Sequence, residues 1–298
     1  MRKDFHRVAA PSFFPAIPWR MWLLALALSC AGLGSSPVLA NGGQGLGVYF
    51  WDTSEVLAGD ERHRDLWHAL KARGVRDLML SFTATQIEAL GGEPARGRLQ
   101  AFARTAERRG FGVSLLLGEP SWILPEHRGD LIALLRSLNG LPFAGVNLDL
   151  EPNQLDESGL GTTYLLEELL KTLADAKLAS PWPVGLSIHP RYLAAPLGDI
   201  DFATALERLG LDEVVLMTYV VSRERVLQIV MPILDAHPGL RFGVAQSVET
   251  FLAPEESHAG IGYSEFQRRM AALAEGLARP NLTRLYVQDW DAYRRMPR

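Results

Sequence analysis

Cysteine is almost absent from this chain, and its scarcity excludes several kinds of protein. Cys30 is the only cysteine among 298 residues, and it lies in an N-terminal segment that we expect to be removed. A mature chain without cysteine forms no disulfide and offers no thiolate to a metal. An excess of basic residues is also missing, because the formal net charge is −4. This acidic balance argues against nucleic acid or an anionic membrane surface as a partner.

Long hydrophobic runs are equally scarce, and the clearest one lies near the N-terminus. A basic start precedes the apolar run Met21–Gly34, which is too short to span a bilayer comfortably. Val38–Ala40 then places small residues at the −3 and −1 positions of a cleavage site before Asn41. We therefore predict a signal peptide over residues 1–40, and a periplasmic or secreted chain that has no membrane association after cleavage. A retained membrane anchor is the alternative.

The remaining chain, residues 41–298, repeats a strand followed by a helix. Between the predicted strands, apolar residues recur at helical spacing, and only the last helix, from Asp291 onward, is short. Such alternation implies parallel strands, and eight repeats in about 250 residues predict a single-domain α/β fold, the closed (β/α)8 TIM barrel. An open doubly wound sheet is less favoured, because no G-x-G-x-x-G or P-loop follows any strand. The predicted strands are Leu46–Trp51, Arg76–Phe82, Gly112–Gly118, Ala144–Glu151, Val184–His189, Glu213–Val220, Arg241–Val248 and Arg284–Trp290.

Chemistry in such barrels lies at the carboxyl ends of the strands. The residues predicted there lack the histidine cluster of a catalytic zinc site and the basic cradle of a phosphate site, so we expect no metal and no cofactor. Carboxylates beside flat aromatic rings are instead what cleavage of a sugar polymer requires. A carbohydrate is therefore the expected partner, and the predicted substrate-binding residues at these strand ends include Tyr49, Trp51, Trp122, His189 and Gln246.

The fourth strand carries the strongest signal. Apolar residues alternate there with Asn147, Asp149 and Glu151, so the three polar side chains share one face. The Cα atoms of the two acidic residues should lie roughly 6.6 Å apart, close enough for their titrations to couple. A proton retained near neutral pH is what a general acid needs. Glu151, nearer the rim, is the better acid, and Asp149 the better supporting group.

This segment resembles the strand-4 signature of family 18 glycoside hydrolases, the chitinase-like barrels, whose pattern is D-x-x-D-x-D-x-E. Glu151 falls on the catalytic acid of that family, Asp149 on the aspartate beside it, and Asn147 on the position before that, where asparagine is sometimes allowed. Ala144 stands where the first aspartate is missing. We expect this loss to loosen the hydrogen-bond network behind Asp149.

Two further segments extend the resemblance. Met217–Tyr219 is similar to the family's M-x-Y on strand 6, although Val220 replaces the following aspartate, and Trp290 resembles the tryptophan that floors the −1 sugar subsite. The resemblance implies a substrate-assisted retaining mechanism on an N-acetylated amino-sugar polymer or oligomer. In it Glu151 protonates the glycosidic oxygen and the substrate's own acetamido carbonyl attacks the anomeric carbon. Asp149 then orients the acetamido group, and Tyr219 hydrogen-bonds its carbonyl oxygen.

Two other functions remain open at this point. A direct retaining glycosidase would use Glu151 as acid and base and Glu249, after the seventh strand, as nucleophile, with the carboxyl groups about 5.5 Å apart. Leu150 counts against that plan, because asparagine usually precedes its strand-4 glutamate. A catalytically weak or inactive carbohydrate-binding barrel would account for the acidic residues missing at Ala144 and Val220.

Overall fold

The computed structural model describes residues 45–58 and 60–297, and in them eight parallel strands close into a barrel. Each strand pairs with its neighbours in sequence order, and the last closes on the first through Gly47 opposite Tyr286 and Val48 opposite Val287. The predicted (β/α)8 barrel and all eight predicted strands are therefore confirmed, whereas the predicted signal peptide lies outside the described residues. The strands are β1 Leu46–Phe50, β2 Val75–Ser81, β3 Gly112–Leu117, β4 Gly145–Asp149, β5 Val184–Ile188, β6 Glu213–Met217, β7 Phe242–Gln246 and β8 Leu282–Val287.

Helices cover the outside of the barrel. Short 3-10 helices at Pro120–Ile123, Pro152–Ser158 and Pro190–Tyr192 follow β3, β4 and β5, and proline opens each because its φ angle suits a first helical turn. None of the described helices is long and apolar enough to cross a membrane. The α-helices are α1 Asp60–Ala72, α2 Ala84–Leu90, α3 Ala95–Arg108, α4 Pro125–Ser137, α5 Thr162–Ala179, α6 Phe202–Leu209, α7 Arg223–Ala236, α8 Tyr263–Gly276 and the expected short α9 Trp290–Arg295.

The core has two compartments, because successive strand residues point to opposite faces. On β1, Phe50 points outward into the layer between strands and helices, whereas Tyr49 points into the barrel. On β4, Leu148 lies in the outer layer in the same way. The interior is a smaller cluster formed by Tyr49, Met79, Leu116, Val215, Met217, Ala245 and Tyr286.

Tyr286 fits inside the barrel because glycines stand on both neighbouring strands. A Cβ atom added at Gly47 would lie 2.2 Å from Cδ1 of Tyr286, and one added at Gly243 would lie 2.5 Å from its Cε2. The tyrosine hydroxyl donates a hydrogen bond to Glu213 Oε2 at 2.8 Å, which holds the ring in place. The ring therefore cannot move away from a new side chain without losing a buried hydrogen bond.

We expect Gly47→Ala to lower the free energy of unfolding by about 1–3 kcal/mol, the usual cost of overpacking a filled interior. Urea denaturation of the two proteins measures this difference. Gly129→Ala in α4 is the control, because a Cβ atom there meets nothing within 4 Å and alanine favours a helix. A Gly47→Ala variant as stable as the Gly129→Ala control would contradict the packing described.

Candidate active site

Asp149 is the last residue of β4, and its side chain is held in an environment that disfavours charge. Burial, and to a smaller extent the nearby charge of Glu151, raise the pKa of Asp149 to about 7. Its Oδ1 atom is enclosed and has no hydrogen-bond partner among the described residues. A carboxyl group with this pKa is mostly protonated below neutral pH.

Glu151 lies just beyond the strand, immediately before the 3-10 helix Pro152–Ser158. Burial raises the pKa of Glu151, while the positive charge of Arg191 and a hydrogen bond from Gln154 act in the opposite direction. Gln154 Nε2 donates to Glu151 Oε1 at 3.4 Å. Since the charge of Glu151 also raises the pKa of Asp149, the two carboxyl groups form an electrostatically coupled pair.

A chain of hydrogen bonds crosses the barrel interior beneath this pair. The Tyr49 hydroxyl and Ser187 Oγ are 2.7 Å apart, and Ser187 Oγ donates to Asn147 Oδ1 at 2.7 Å. Burial and the charge of Asp149 raise the pKa of Tyr49 well above its ordinary value. Tyr49 and Asn147 are 0% and 3% exposed, so neither lines an open groove, and their placement does not support the substrate contact expected of them.

Ala144 does not contribute to this network. It is exposed and precedes β4, at the opposite end of the strand from Asp149. The predicted loosening behind Asp149 stays a prediction, and the buried Asp149 Oδ1 and Asn147 Nδ2 atoms have no hydrogen-bond partner among the described residues. Ser187 of β5, for which the sequence predicted no role, joins Tyr49 to Asn147. A lone serine in a buried apolar strand was the only signal that could have revealed it.

Tyr219 lies near the two carboxyl groups, whose charges act on its phenol. Its hydroxyl is enclosed and lacks a hydrogen-bond partner in the described part of the chain. Burial raises the pKa of Tyr219 well above its ordinary value, and the charges of Asp149, Glu249 and Glu151 act in the same direction. The phenol is therefore neutral and has a proton to donate.

Trp51 is the aromatic ring that the structure leaves open at the mouth. It is 42% exposed, its Nε1 donates to the Gln288 carbonyl at 2.8 Å, and its ring centroid lies 5.8 Å from that of Tyr49. Trp51 thus packs beside Tyr49 and keeps part of its ring exposed, as a sugar-stacking side chain requires. Phe251, after β7, is also exposed, at 79%, and a loop phenylalanine carries no sequence signal of its exposure.

Trp290 does not form the expected floor of a sugar subsite. It is 2% exposed and stacks on Phe50, with ring centroids 5.5 Å apart, in the layer between strands and helices. The physical reason is that α9 begins at Trp290, with Asp289 Oδ1 accepting from the backbone of Ala292 at 2.9 Å. The tryptophan therefore packs outside the barrel.

Gln246 and Trp122 also have structural surroundings rather than an open face. Gln246 is 1% exposed; its Nε2 donates to the Thr218 carbonyl, and its Oε1 lies 3.2 Å from His258 Nε2. It therefore holds the backbone next to Tyr219. Trp122 packs against the outer core. Neither placement supports the substrate contact expected of these two residues.

His189 and Glu249 follow the carboxyl ends of β5 and β7 and so lie at the mouth of the barrel. His189 Nδ1 accepts from the Arg191 backbone at 3.1 Å, and burial, with the charge of Arg191, lowers the pKa of His189. Burial and the charge of Asp289 raise the pKa of Glu249, which accepts from Ser247 Oγ at 3.0 Å. Glu249 thus interacts with Asp289 and Tyr219, whereas Arg191 and Gln154 are the partners of Glu151.

No protein-family model matches this chain, and no curated protein is similar to it in sequence. Its fold, however, is similar to several solved structures. A beta-mannanase of family GH113 from Alicyclobacillus acidocaldarius superposes with a TM-score of 0.54 and 11% identity, covering 83% of this chain and 86% of the mannanase. An endo-1,4-beta-mannanase from Rhizomucor miehei superposes with a TM-score of 0.52 and 9% identity, and the superposition covers 82% of this chain and 85% of the mannanase.

A third similar structure is a beta-N-acetylhexosaminidase from Bacteroides fragilis, with a TM-score of 0.52 and 10% identity. The superposition covers 83% of this chain but 60% of the hexosaminidase, so the match concerns part of that longer protein. At these identities the likeness establishes the barrel fold that this chain shares with glycoside hydrolases.

Proposed function

We propose that this chain is an exported glycoside hydrolase that cleaves an N-acetylated amino-sugar polymer or oligomer. The observation that carries the proposal is the coupled pair of Asp149 and Glu151 at the barrel mouth, in which the pKa of Asp149 is raised to about 7. A carboxyl pair that retains a proton near neutral pH can supply the general acid of a glycosidase. The likeness in fold to two mannanases and a hexosaminidase supports the same reaction class.

Two buried polar atoms at this site, one on Asp149 and one on Tyr219, lack hydrogen-bond partners among the described residues and support an acetamido substrate. Asp149 Oδ1 and the Tyr219 hydroxyl are both buried without a hydrogen-bond partner among the described residues, an arrangement that costs free energy in the free protein. An acetamido group carries one N–H donor and one C=O acceptor. Its N–H would donate to the Asp149 carboxylate, and its carbonyl would accept from Tyr219.

The proposed reaction follows from these placements. With Asp149 ionised and Glu151 protonated, Glu151 donates its proton to the glycosidic oxygen as the bond from that oxygen to the anomeric carbon breaks. The acetamido carbonyl oxygen attacks the anomeric carbon and forms a cyclic oxazolinium intermediate, whose charge the Asp149 carboxylate stabilises. The Glu151 carboxylate then takes a proton from water, whose oxygen attacks the anomeric carbon and reopens the ring with net retention.

A substrate comparison tests this mechanism. We expect release of reducing ends from N-acetylglucosamine oligomers and at least 100-fold slower release from the same oligomers after deacetylation, because the acetamido group supplies the nucleophile. Glu249→Gln should retain most of the wild-type rate, since Glu249 accepts from Ser247 and interacts with Tyr219 and Asp289. Reducing-end assays on the two substrates with the two proteins measure both effects.

The alternatives give different results in the same experiment. A direct two-carboxylate glycosidase would cleave a non-acetylated oligomer and would lose its activity in Glu249→Gln. A carbohydrate-binding barrel would bind the acetylated oligomers, as measured by calorimetry, and would release no reducing ends. Either pattern would replace the substrate-assisted mechanism.

A further inference from the structure

An apolar pocket of about 510 Å³ adjoins the proposed catalytic groups. It lies beyond the ends of β5 and β6, against one side of α7. Tyr219 forms part of its lining, and five further polar residues also line it: His189, Arg191, Thr218, Gln228 and Glu256. Most of the remaining wall is apolar and comes from Leu193, Ala194, Val220, Ile229, Pro232 and Ile233.

Two lining residues of the pocket also interact with the carboxyl pair, which places the pocket next to that pair. Tyr219 lines the pocket and lies in the electrostatic field of Asp149 and Glu151. Arg191 also lines the pocket, and its charge acts on Glu151. A saccharide bound with its glycosidic oxygen at Glu151 would therefore carry its nearest substituents to the entrance of this pocket.

The wall selects for an apolar occupant. Val220, Ile229 and Ile233 offer no hydrogen bond, so a sugar hydroxyl placed against them would lose water without replacement. A hydrocarbon group would instead gain from leaving water, in a pocket whose volume falls in the range usual for small-molecule sites. The half-buried state of all three side chains leaves apolar surface that the fold itself does not cover.

We propose that this pocket binds an apolar substituent of the amino-sugar substrate, either a long N-acyl chain or an apolar aglycone. The proposal rests on the function proposed above, because the sugar ring must first lie at Glu151. Both sources present the same chemistry to the pocket, a hydrocarbon group next to the glycosidic bond. Amino-sugar glycosides that carry such a hydrocarbon group would therefore bind more tightly than plain amino-sugar oligomers, which leave the pocket empty.

Calorimetry with three glycosides tests the pocket separately from catalysis. The probes are methyl N-acetyl-β-glucosaminide, its phenyl counterpart and the methyl N-hexanoyl analogue. We expect at least 10-fold tighter binding of the phenyl or the hexanoyl compound than of the methyl N-acetyl compound, and whichever one gains affinity identifies the source of the apolar group. Equal affinity for all three, or no binding of any, would overturn the proposal.

Ile229→Asn should remove this gain and leave the affinity for the methyl N-acetyl compound unchanged. Ile132→Asn is the matched control, because Ile132 is also half-buried on a helix and packs against the same outer core but does not line the pocket. If Ile229→Asn does not fold, Val220→Thr, which keeps the shape of the side chain, takes its place. A gain that survives in the folded pocket variant would contradict the assignment.

The outcome for catalysis is read independently. Selective binding of the phenyl or hexanoyl compound without release of its aglycone would leave the pocket in place and reject the proposed hydrolase. Hydrolysis of all three glycosides with the same KM would support the proposed hydrolase and reject the pocket, because the carboxyl pair would be active and the pocket unused.

Discussion

Glu151→Gln is expected to lower kcat on N-acetylglucosamine oligomers by about 10²–10⁴-fold, the usual contribution of a general acid. Glutamine has nearly the same shape and still accepts a hydrogen bond from Gln154, but its amide cannot protonate the leaving oxygen. Binding of the oligomer should therefore stay close to that of the wild type. Reducing-end assays give kcat and KM, and calorimetry gives the affinity.

Glu119→Gln is the control for this first prediction. Glu119 also lies after a barrel strand and is exposed, and its Oε1 accepts from the Ser121 backbone at 3.2 Å. The Glu119→Gln substitution removes a carboxylate from the same end of the barrel and leaves Asp149 and Glu151 unchanged. If both variants lost activity equally, or if Glu151→Gln kept the wild-type rate, Glu151 would not be the acid.

Asp149→Asn should abolish most of the activity and, at the same time, stabilise the protein above neutral pH. The pKa of Asp149 is raised in the fold from 3.8 to about 7, so the folded state binds this proton more tightly than the unfolded state. Stability therefore falls as the pH rises from about 4 to 7, and a shift of this size corresponds to about 4 kcal/mol at most. Asparagine is neutral throughout this pH range, so the variant does not lose this stability as the pH rises.

The measurement is urea denaturation of wild type and Asp149→Asn at pH 4, 6 and 8. The variant should be the more stable protein at pH 8 and should match the wild type at pH 4. Asp52→Asn is a control of opposite sign, because hydrogen bonds from Ser54 lower the pKa of Asp52. That variant should lose stability at neutral pH and regain parity as the pH falls. Parallel pH profiles for Asp149→Asn and wild type would show an ordinary carboxyl group at Asp149.

The barrel could be predicted from the sequence because its signals are local. Period-two and helical spacing are read over a few residues, and all eight strands were found with end errors of up to three residues. β4 and β6 end at Asp149 and Met217, earlier than expected. In both places the strand-like sequence continues past the last residue of the strand, so the pattern alone does not mark where the strand ends.

The direction of a side chain could be predicted from the sequence where it follows from the strand. Asn147 and Asp149 lie on β4, and their shared face follows from the pleat. Trp290 lies beyond β8, where a helix start rather than a strand sets its direction. Gln246 lies on β7, but its partner His258 comes from a later loop, so no local pattern distinguished a structural amide from a substrate contact.

The sequence alone determined three features: the order of strands and helices, the acidic residues at the end of β4, and their spacing. Each of these depends on neighbours along the chain. The tertiary structure alone decided what surrounds them. Tyr49 and Ser187 meet across 138 residues, Arg191 reaches Glu151 from another strand end, and an apolar pocket opens beside Tyr219. The reason is physical: a pKa depends on how much water and charge surround a group, and only the folded chain determines that.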